Sequence, residues 1–385
     1  MALTPLLSIV IPTKNRQEQC IQTIRSVLSF QDDFELVVFD SSDDGDLLAR
    51  EFAALGDQRI KHHHVPALKN MTQCFEEAVK YAHGDFICMI GDDDGVTPQL
   101  FSWTRRAQRE GLTSVTSDPR VYAAYNWPGI RSKYFGEAVS GKLFLRLDPT
   151  VSDTVVDARS QIDAFLDNAG QGCSSMPRVY HGIVARSTLT ELHAEIGHCF
   201  DGVSPDVSFS YFAAYFSPRH AIIDLPLTIG GASVSSNAGR SAMRQHKGDL
   251  WSDPHMRSYI GEPWPADVPE FFSVETVWGQ ATLAAIDRAG RDRRDRFNFS
   301  RFYALLLVRH PDRQSEIMKA LGHHGRVARA KAIGKVAPVV WEHGVYAAKK
   351  VLQRAWPDRK IKTLSADSIE IASDLVAQAL AQQHR

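Results

Sequence analysis

The 385-residue chain is short of cysteine, of long apolar runs and of any surplus of one charge. Its five cysteines are an odd number without a Cys-x-x-Cys spacing. That excludes a disulfide framework and a zinc ribbon and fits a reducing, cytoplasmic setting. No stretch approaches the roughly eighteen consecutive apolar residues that cross a bilayer. Residues 1–10 lack a basic segment, a long apolar core and a small-residue cleavage site, so no secretory leader is expected. Lysine plus arginine number 44 against 45 aspartate plus glutamate; without a basic field, nucleic acid is not an expected partner. Glycine is missing from the first turn, Pro12-Thr13-Lys14-Asn15-Arg16. The close pyrophosphate approach of a dinucleotide-dependent oxidoreductase is therefore unavailable there.

What is present is an alternation of strand and helix over the first hundred residues. Residues 6–11 (LLSIVI), 34–39 (FELVVF) and 86–90 (FICMI) are short apolar runs of the kind buried on both faces of a parallel sheet. Between them lie a helical stripe over 17–30, a helix over 47–55, a strand over 59–64 and a helix after Asn70, which caps it and is stopped by Gly84. The order β-α-β-α-β-α-β implies a mostly parallel sheet with right-handed crossovers, whose ligands bind beyond the carboxyl ends of the strands. Thr13, Asp40 and the run Asp92-Asp93-Asp94 all fall at such ends. Short strands at 121–125, 154–156, 179–184 and 221–229 are expected next. Residues 236–270 read as a loop region, and 271–385 as a helical appendage with helices at 274–288, 302–309 and 339–356.

Three adjacent carboxylates at a strand end repel one another unless a cation sits among them. Oxygen ligands at that spacing suit Mg²⁺ or Mn²⁺. His62-His63-His64 does not make a second metal site, because consecutive strand residues point to opposite faces.

Ser8-Ile9-Val10-Ile11-Pro12-Thr13-Lys14-Asn15-Arg16 resembles the opening of family 2 glycosyltransferases. Val37 to Gly45 resembles their second strand and Asp-x-Ser-x-Asp-Gly turn, and Asn70 to Asp94 their helix, Gly-Asp-Phe-Ile strand and Asp-x-Asp signature. The resemblance is clear to about residue 110 and fades by about 235, the limit it gives a catalytic domain of residues 1–235. It implies a GT-A, Rossmann-like fold with flanking helices and a nucleoside-diphosphate sugar, most simply a UDP-sugar, as donor. It also implies a divalent cation and inverting transfer of a single hexosyl or N-acetylhexosaminyl unit. The acceptor would be a glycan or lipid-linked sugar of bacterial cell-surface polysaccharide synthesis. By position, Pro12, Thr13, Asn15, Arg16 and Asp40 would bind the nucleotide, Asp40 accepting from the base. Lys69 is either a nucleotide contact or a solvated lysine. Asp94 would ligate the metal, with Asp92 or Asp93 on ribose or on a metal-bound water. Gly91 stands where many members have the first aspartate, which leaves open which carboxylates matter.

The same resemblance makes Asp206, in Ser204-Pro205-Asp206 ahead of an apolar helical run, the general base, with Asp201 as runner-up. His246, in a loop with Arg240, Arg244 and Lys247, would reach the metal or the phosphates. The Gln-x-x-Arg-Trp motif of processive synthases is missing after residue 200. Residues 339–356 mix Trp, Val, Tyr and Leu with lysines and suit either peripheral contact with the inner face of the cell membrane or packing on this domain or a second copy. The alternative reading is a catalytically silent nucleotide-sugar-binding or scaffold protein.

Overall fold

The computed structural model describes residues 4–382 except 69, 133–134, 244–246, 293 and 356–357. Lys69, Arg244 and His246, singled out above, lie outside the described residues.

Fifteen strands are present among the described residues. They are β1 (Leu7–Thr13), β2 (Phe34–Asp40), β3 (Ile60–His64), β4 (Phe86–Met89), β5 (Gly95–Val96), β6 (Ser114–Ser117), β7 (Tyr122–Asn126), β8 (Lys142–Arg146) and β9 (Thr154–Val156). There follow β10 (Ile183–Ala185), β11 (His220–Ile223), β12 (Thr228–Ala232), β13 (Lys247–Gly248), β14 (Phe272–Ser273) and β15 (Ile361–Ser365). Eight form one sheet in the order β3-β2-β1-β4-β10-β6-β11-β9. The β3-β2-β1-β4 half is wholly parallel; β10 and β9 run antiparallel to their neighbours. The architecture is thus α/β with a large, mostly parallel sheet flanked by helices.

The apolar runs form strands because both faces of the sheet are covered. Ile9, Ile11, Leu36, Val38, Phe86 and Cys88 enter one core, and Val10, Val37, Phe39, Ile87 and Met89 enter the other. This is the period-2 alternation of a pleated strand with helices on each side. β3 lies at the sheet edge, and its histidines have separate partners. His62 meets the edge of Phe52, His63 stacks on Tyr81, and His64 bonds the Ser42 carbonyl at 2.8 Å.

The stretch 221–229, expected as one strand, is two. β11 belongs to the large sheet and β12 to a second, five-stranded sheet ordered β15-β8-β7-β12-β5. Pro226 sits between them and has no N–H to carry a ladder onward. Of 179–184, only Ile183 and Val184 fall in a strand, and His181 has a positive φ of 63°. The helical C-terminal region ends in a strand and helix that return to the domain. β15 pairs with β8, and the helix Ile369–Ala381 covers the small sheet with Ile369, Ala372 and Val376. Its Ser373 hydroxyl lies 2.8 Å from that of Ser26.

Candidate active site

The acidic run begins three residues after the end of β4, on the side of the sheet where β1 and β2 also end. Thr13 and Asp40 are register partners across β1 and β2, so the parallel sheet itself brings the three polar ends together. The carboxylates of Asp92, Asp93 and Asp94 are all buried, at 1–3% exposure, and such burial demands partners. Each carboxylate finds different ones.

Asp92 is neutralised by Arg16. The guanidinium Nε donates to Oδ2 at 3.0 Å, Nη2 pairs with Oδ1, and the Thr13 hydroxyl donates to Oδ2 at 2.7 Å. This fork-to-carboxylate pairing is the strong, oriented kind. Asp94 is held by the backbone: Gly231 N–H donates to Oδ1 at 2.6 Å and Gly91 N–H to Oδ2 at 2.5 Å. The Tyr180 hydroxyl adds a bond to Oδ2 at 3.0 Å, and His181 Nε2 lies 3.4 Å from that oxygen. Asp93 has least. Ser233 N–H donates to Oδ2 at 2.8 Å, and Oδ1 has only Arg16 Nη2 at 3.4 Å. Burial, then the neighbouring Asp94 charge, push the Asp93 carboxyl above its ordinary range.

The peptide backbone of the run is equally fixed. The Thr23 hydroxyl, on the helix Gln17–Leu28, donates to the carbonyls of Asp92 and Asp94, and the Trp127 indole N–H donates to that of Asp93. β12 approaches so closely that a Cβ on Gly231 would sit 1.8 Å from the Asp93 carbonyl oxygen. Only glycine fits there.

Asn15 serves the turn. With φ of 55° it takes the left-handed conformation that asparagine tolerates. Its N–H donates to Ser42 Oγ at 2.7 Å, and its side chain exchanges hydrogen bonds with Asp43. Pro12 precedes that turn, half-buried. Asp40 is fully buried; Ser42 N–H donates to Oδ1 at 2.9 Å, while Oδ2 has no hydrogen-bond partner. Burial opposes its charge, but His62, 3.7 Å from Oδ2, and Ser42 outweigh it and hold the carboxyl below the usual range.

Asp206 stands at the second position of the helix Pro205–Ala214, with the Ser204 hydroxyl donating to Oδ1 at 2.9 Å. It lines a cavity of about 360 Å³ together with Tyr180, Phe75, His255, Asn237 and Trp278. Tyr180 is the link, because the side chain that lines the cavity also holds Asp94. Burial and the Asp94 and Asp93 charges raise the Tyr180 phenol well above its normal range, so it remains a donor. A larger cleft of about 820 Å³ is lined by residues just before Asp206 in the chain, Asp201, Gly202 and Val203. Trp251, Tyr259 and Trp264 line it with Asp201, Glu262, Asp287 and Arg288. Asp201 itself is engaged by His198 at 3.3 Å and Arg288 at 3.2 Å.

The structure therefore brings Thr13, Arg16 and Asp92–Asp94 into one hydrogen-bonded cluster and places Asp206 in the adjoining cavity. Tyr180, His181, Gly231 and Ser233 join the site without having been expected. Their signal is faint: a glycine pair inside a strand pattern marks a close backbone approach, and the Tyr-His pair follows no motif. Among the described residues, no three His, Cys, Asp or Glu side chains surround one point as an all-protein metal cage would. Asp93 Oδ1 is instead the one carboxylate oxygen of the run without a close donor. The residues fit a hard cation held by few protein oxygens and completed by a ligand's phosphates, as Mg²⁺ and Mn²⁺ are.

Comparison with known proteins finds similarity over the first part of the chain. Residues 8–159 match the family described as Glycosyl transferase family 2. The putative colanic acid biosynthesis glycosyl transferase WcaA of Escherichia coli (strain K12) is 36% identical over 105 residues, 26% of this chain and 37% of that protein. The S. aureus TarS 1-349 structure in complex with UDP-GlcNAc aligns with TM-score 0.49 at 14% identity, covering 98% of this chain and 92% of that one. The TarS 1-349 structure in complex with UDP gives 0.42 at 13% identity, with 98% and 91% covered. Likeness at that level decides nothing about ligand or chemistry. Over residues 8–159, the chain is similar to glycosyl transferase family 2.

Proposed function

We propose that the protein transfers one sugar, with inversion, from a UDP-sugar to a glycan or lipid-linked acceptor in cell-surface polysaccharide synthesis. The family supports sugar transfer, and the relative's name, colanic acid biosynthesis, supports the pathway class. The observation that carries the chemistry is the link through Tyr180 between the acidic run and the Asp206 cavity.

In this reading Asp40 Oδ2, buried and without a hydrogen bond, accepts the ring N–H of the base. Asp93 Oδ1, rather than Asp94, is the oxygen for a divalent cation, and Asp92 or Asp94 complete its surroundings. When bound, such a cation offsets charge developing on the departing diphosphate. Arg16 cancels the charge of Asp92, so the run repels a phosphate group less than three free carboxylates would. Asp206 takes the acceptor hydroxyl proton as that oxygen bonds to the anomeric carbon and the carbon–oxygen bond to the diphosphate breaks. The 820 Å³ cleft, with two tryptophans and planar polar side chains, suits the acceptor's sugar rings.

The test is UDP release from a panel of UDP-sugars with Mn²⁺, comparing wild type with Asp206→Asn and Asp93→Asn. Loss of a general base costs about 10²–10⁴ in rate, so Asp206→Asn should lower kcat by that order with KM little changed. Turnover equal to wild type in both variants, or tight UDP binding by the wild type without turnover on any donor, would sink the proposal.

A further inference from the structure

The helix Val336–Ala355 turns its apolar side outward. Val339 points inward against Ala304 and Leu305. At about 100° per residue, Val340, Trp341, Val345, Ala348, Val351 and Leu352 fall within about 140° of arc on the opposite side. Val340, Trp341, Val351 and Leu352 are exposed, Trp341 by 74%. The preceding helix, Gly325–Gly334, exposes Val327 and Ile333. An ordinary surface helix would present charge there instead, and contiguous exposed apolar side chains mark an interaction site.

Charge in the segment that carries this stripe is mostly positive. Residues 325–350 contain Arg326, Arg329, Lys331, Lys335, Lys349 and Lys350 against a single carboxylate, Glu342. Arg301 engages Glu342 at 3.0 Å. In a chain of net charge −1, this is a local concentration of cations in the segment that carries the apolar face, with Lys349 next to the stripe itself.

We propose that this face docks on an anionic lipid bilayer, the helix lying in the plane of the surface. Trp341, Val351 and Leu352 would enter the boundary between headgroups and acyl chains, and the lysines and arginines would meet the phosphates. Charge complementarity selects the bilayer over a second copy, since two copies meeting through this face would oppose one set of cations to the other. Among the described residues no helix is long and apolar enough to cross a membrane, which is consistent with in-plane docking. No residue of the helix lines either cavity, so the proposal stands apart from the sugar-transfer reading.

Flotation of the full chain with vesicles of equimolar phosphatidylcholine and phosphatidylglycerol, against pure phosphatidylcholine, tests it. The wild type should float with the anionic vesicles only, and less as salt rises. A Trp341→Ser/Leu352→Ser variant should lose about tenfold or more in partitioning, and each of Lys331→Gln, Lys335→Gln and Lys349→Gln about fivefold. All these side chains are exposed, so an unchanged melting temperature confirms the fold. The proposal is overturned if the wild type ignores anionic vesicles or if the Trp341/Leu352 variant floats equally well. It is also overturned if light scattering shows a dimer that Trp341→Ser dissociates while vesicle binding is absent; the face would then belong to a second copy.

Discussion

Asp93→Asn and Asp94→Asn should separate the two jobs of the acidic run. The Asp94 oxygens accept from two buried backbone N–H groups, Gly231 at Oδ1 and Gly91 at Oδ2. An amide offers one oxygen, so one N–H would face an NH₂ group. A buried donor left unsatisfied costs about 1–3 kcal/mol, and bonds to a charged acceptor are worth about 1.5–3 kcal/mol. The expected loss is about 3 kcal/mol. With an unfolding entropy of about 2.1 cal/mol/K per residue, that is about 4 °C in Tm for a chain of this length. Asp93→Asn should behave otherwise. Its carbonyl can keep the Ser233 N–H, and the substitution removes a buried charge that burial and Asp94 already disfavour. Its Tm should stay within about 1 °C of wild type. Mn²⁺ plus UDP then reports the site. At a hundredfold excess over the dissociation constant, a ligand stabilises by about 2.7 kcal/mol, about 3 °C here. Wild type should show that shift, and Asp93→Asn should not. Scanning fluorimetry measures both quantities. If Asp93→Asn melts as low as Asp94→Asn, or keeps the full shift with Mn²⁺ and UDP, the division of roles is wrong.

Three further outcomes follow from the same geometry. Gly231→Ala must push β12 off the Asp93 carbonyl; such overpacking costs about 1–3 kcal/mol or more, read as a lower Tm together with lost UDP release. Tyr180→Phe removes one donor of Asp94 and leaves its two N–H bonds, so it should cost about 1–2 kcal/mol and lower kcat less than Asp206→Asn does, as steady-state kinetics would record. His220 is fully buried between Ser114 Oγ and the Ser175 carbonyl, and burial lowers its pKa from 6.5 to about 4. The unfolded chain therefore binds the extra proton first. The stability from His220 is complete above pH 6.5 and is lost as pH falls toward 4, by about 3 kcal/mol in all. Thermal melts from pH 7.5 to 4.5 should show that fall, and a His220→Gln variant should flatten it.

The large sheet was legible in the sequence because parallel strands covered on both faces become unbroken apolar runs, and Pro12, Gly45 and Gly84 punctuate them. Thr13, Asp40 and the acidic run were legible for the same reason: polar residues directly after such runs can only sit at the strand ends. Much of what holds the run was not. Gly91, Gly231 and Ser233 contribute main-chain N–H groups, which every residue but proline carries and which leave no trace in side-chain pattern. β12 reaches the run only because the chain breaks at Pro226 and switches sheets, whereas apolar character alone runs on from Ala221 to Ile229. β15 pairs with β8 across more than two hundred residues, a separation no local periodicity encodes. The consequence bears on chemistry. From charge alone, three adjacent aspartates look equivalent, and only the family resemblance singles out Asp94 as the expected ligand. Counting donors separates them: Arg16 occupies Asp92, the backbone and Tyr180 occupy Asp94, and Asp93 Oδ1, with only Arg16 Nη2 at 3.4 Å, is for that reason the oxygen proposed for the cation.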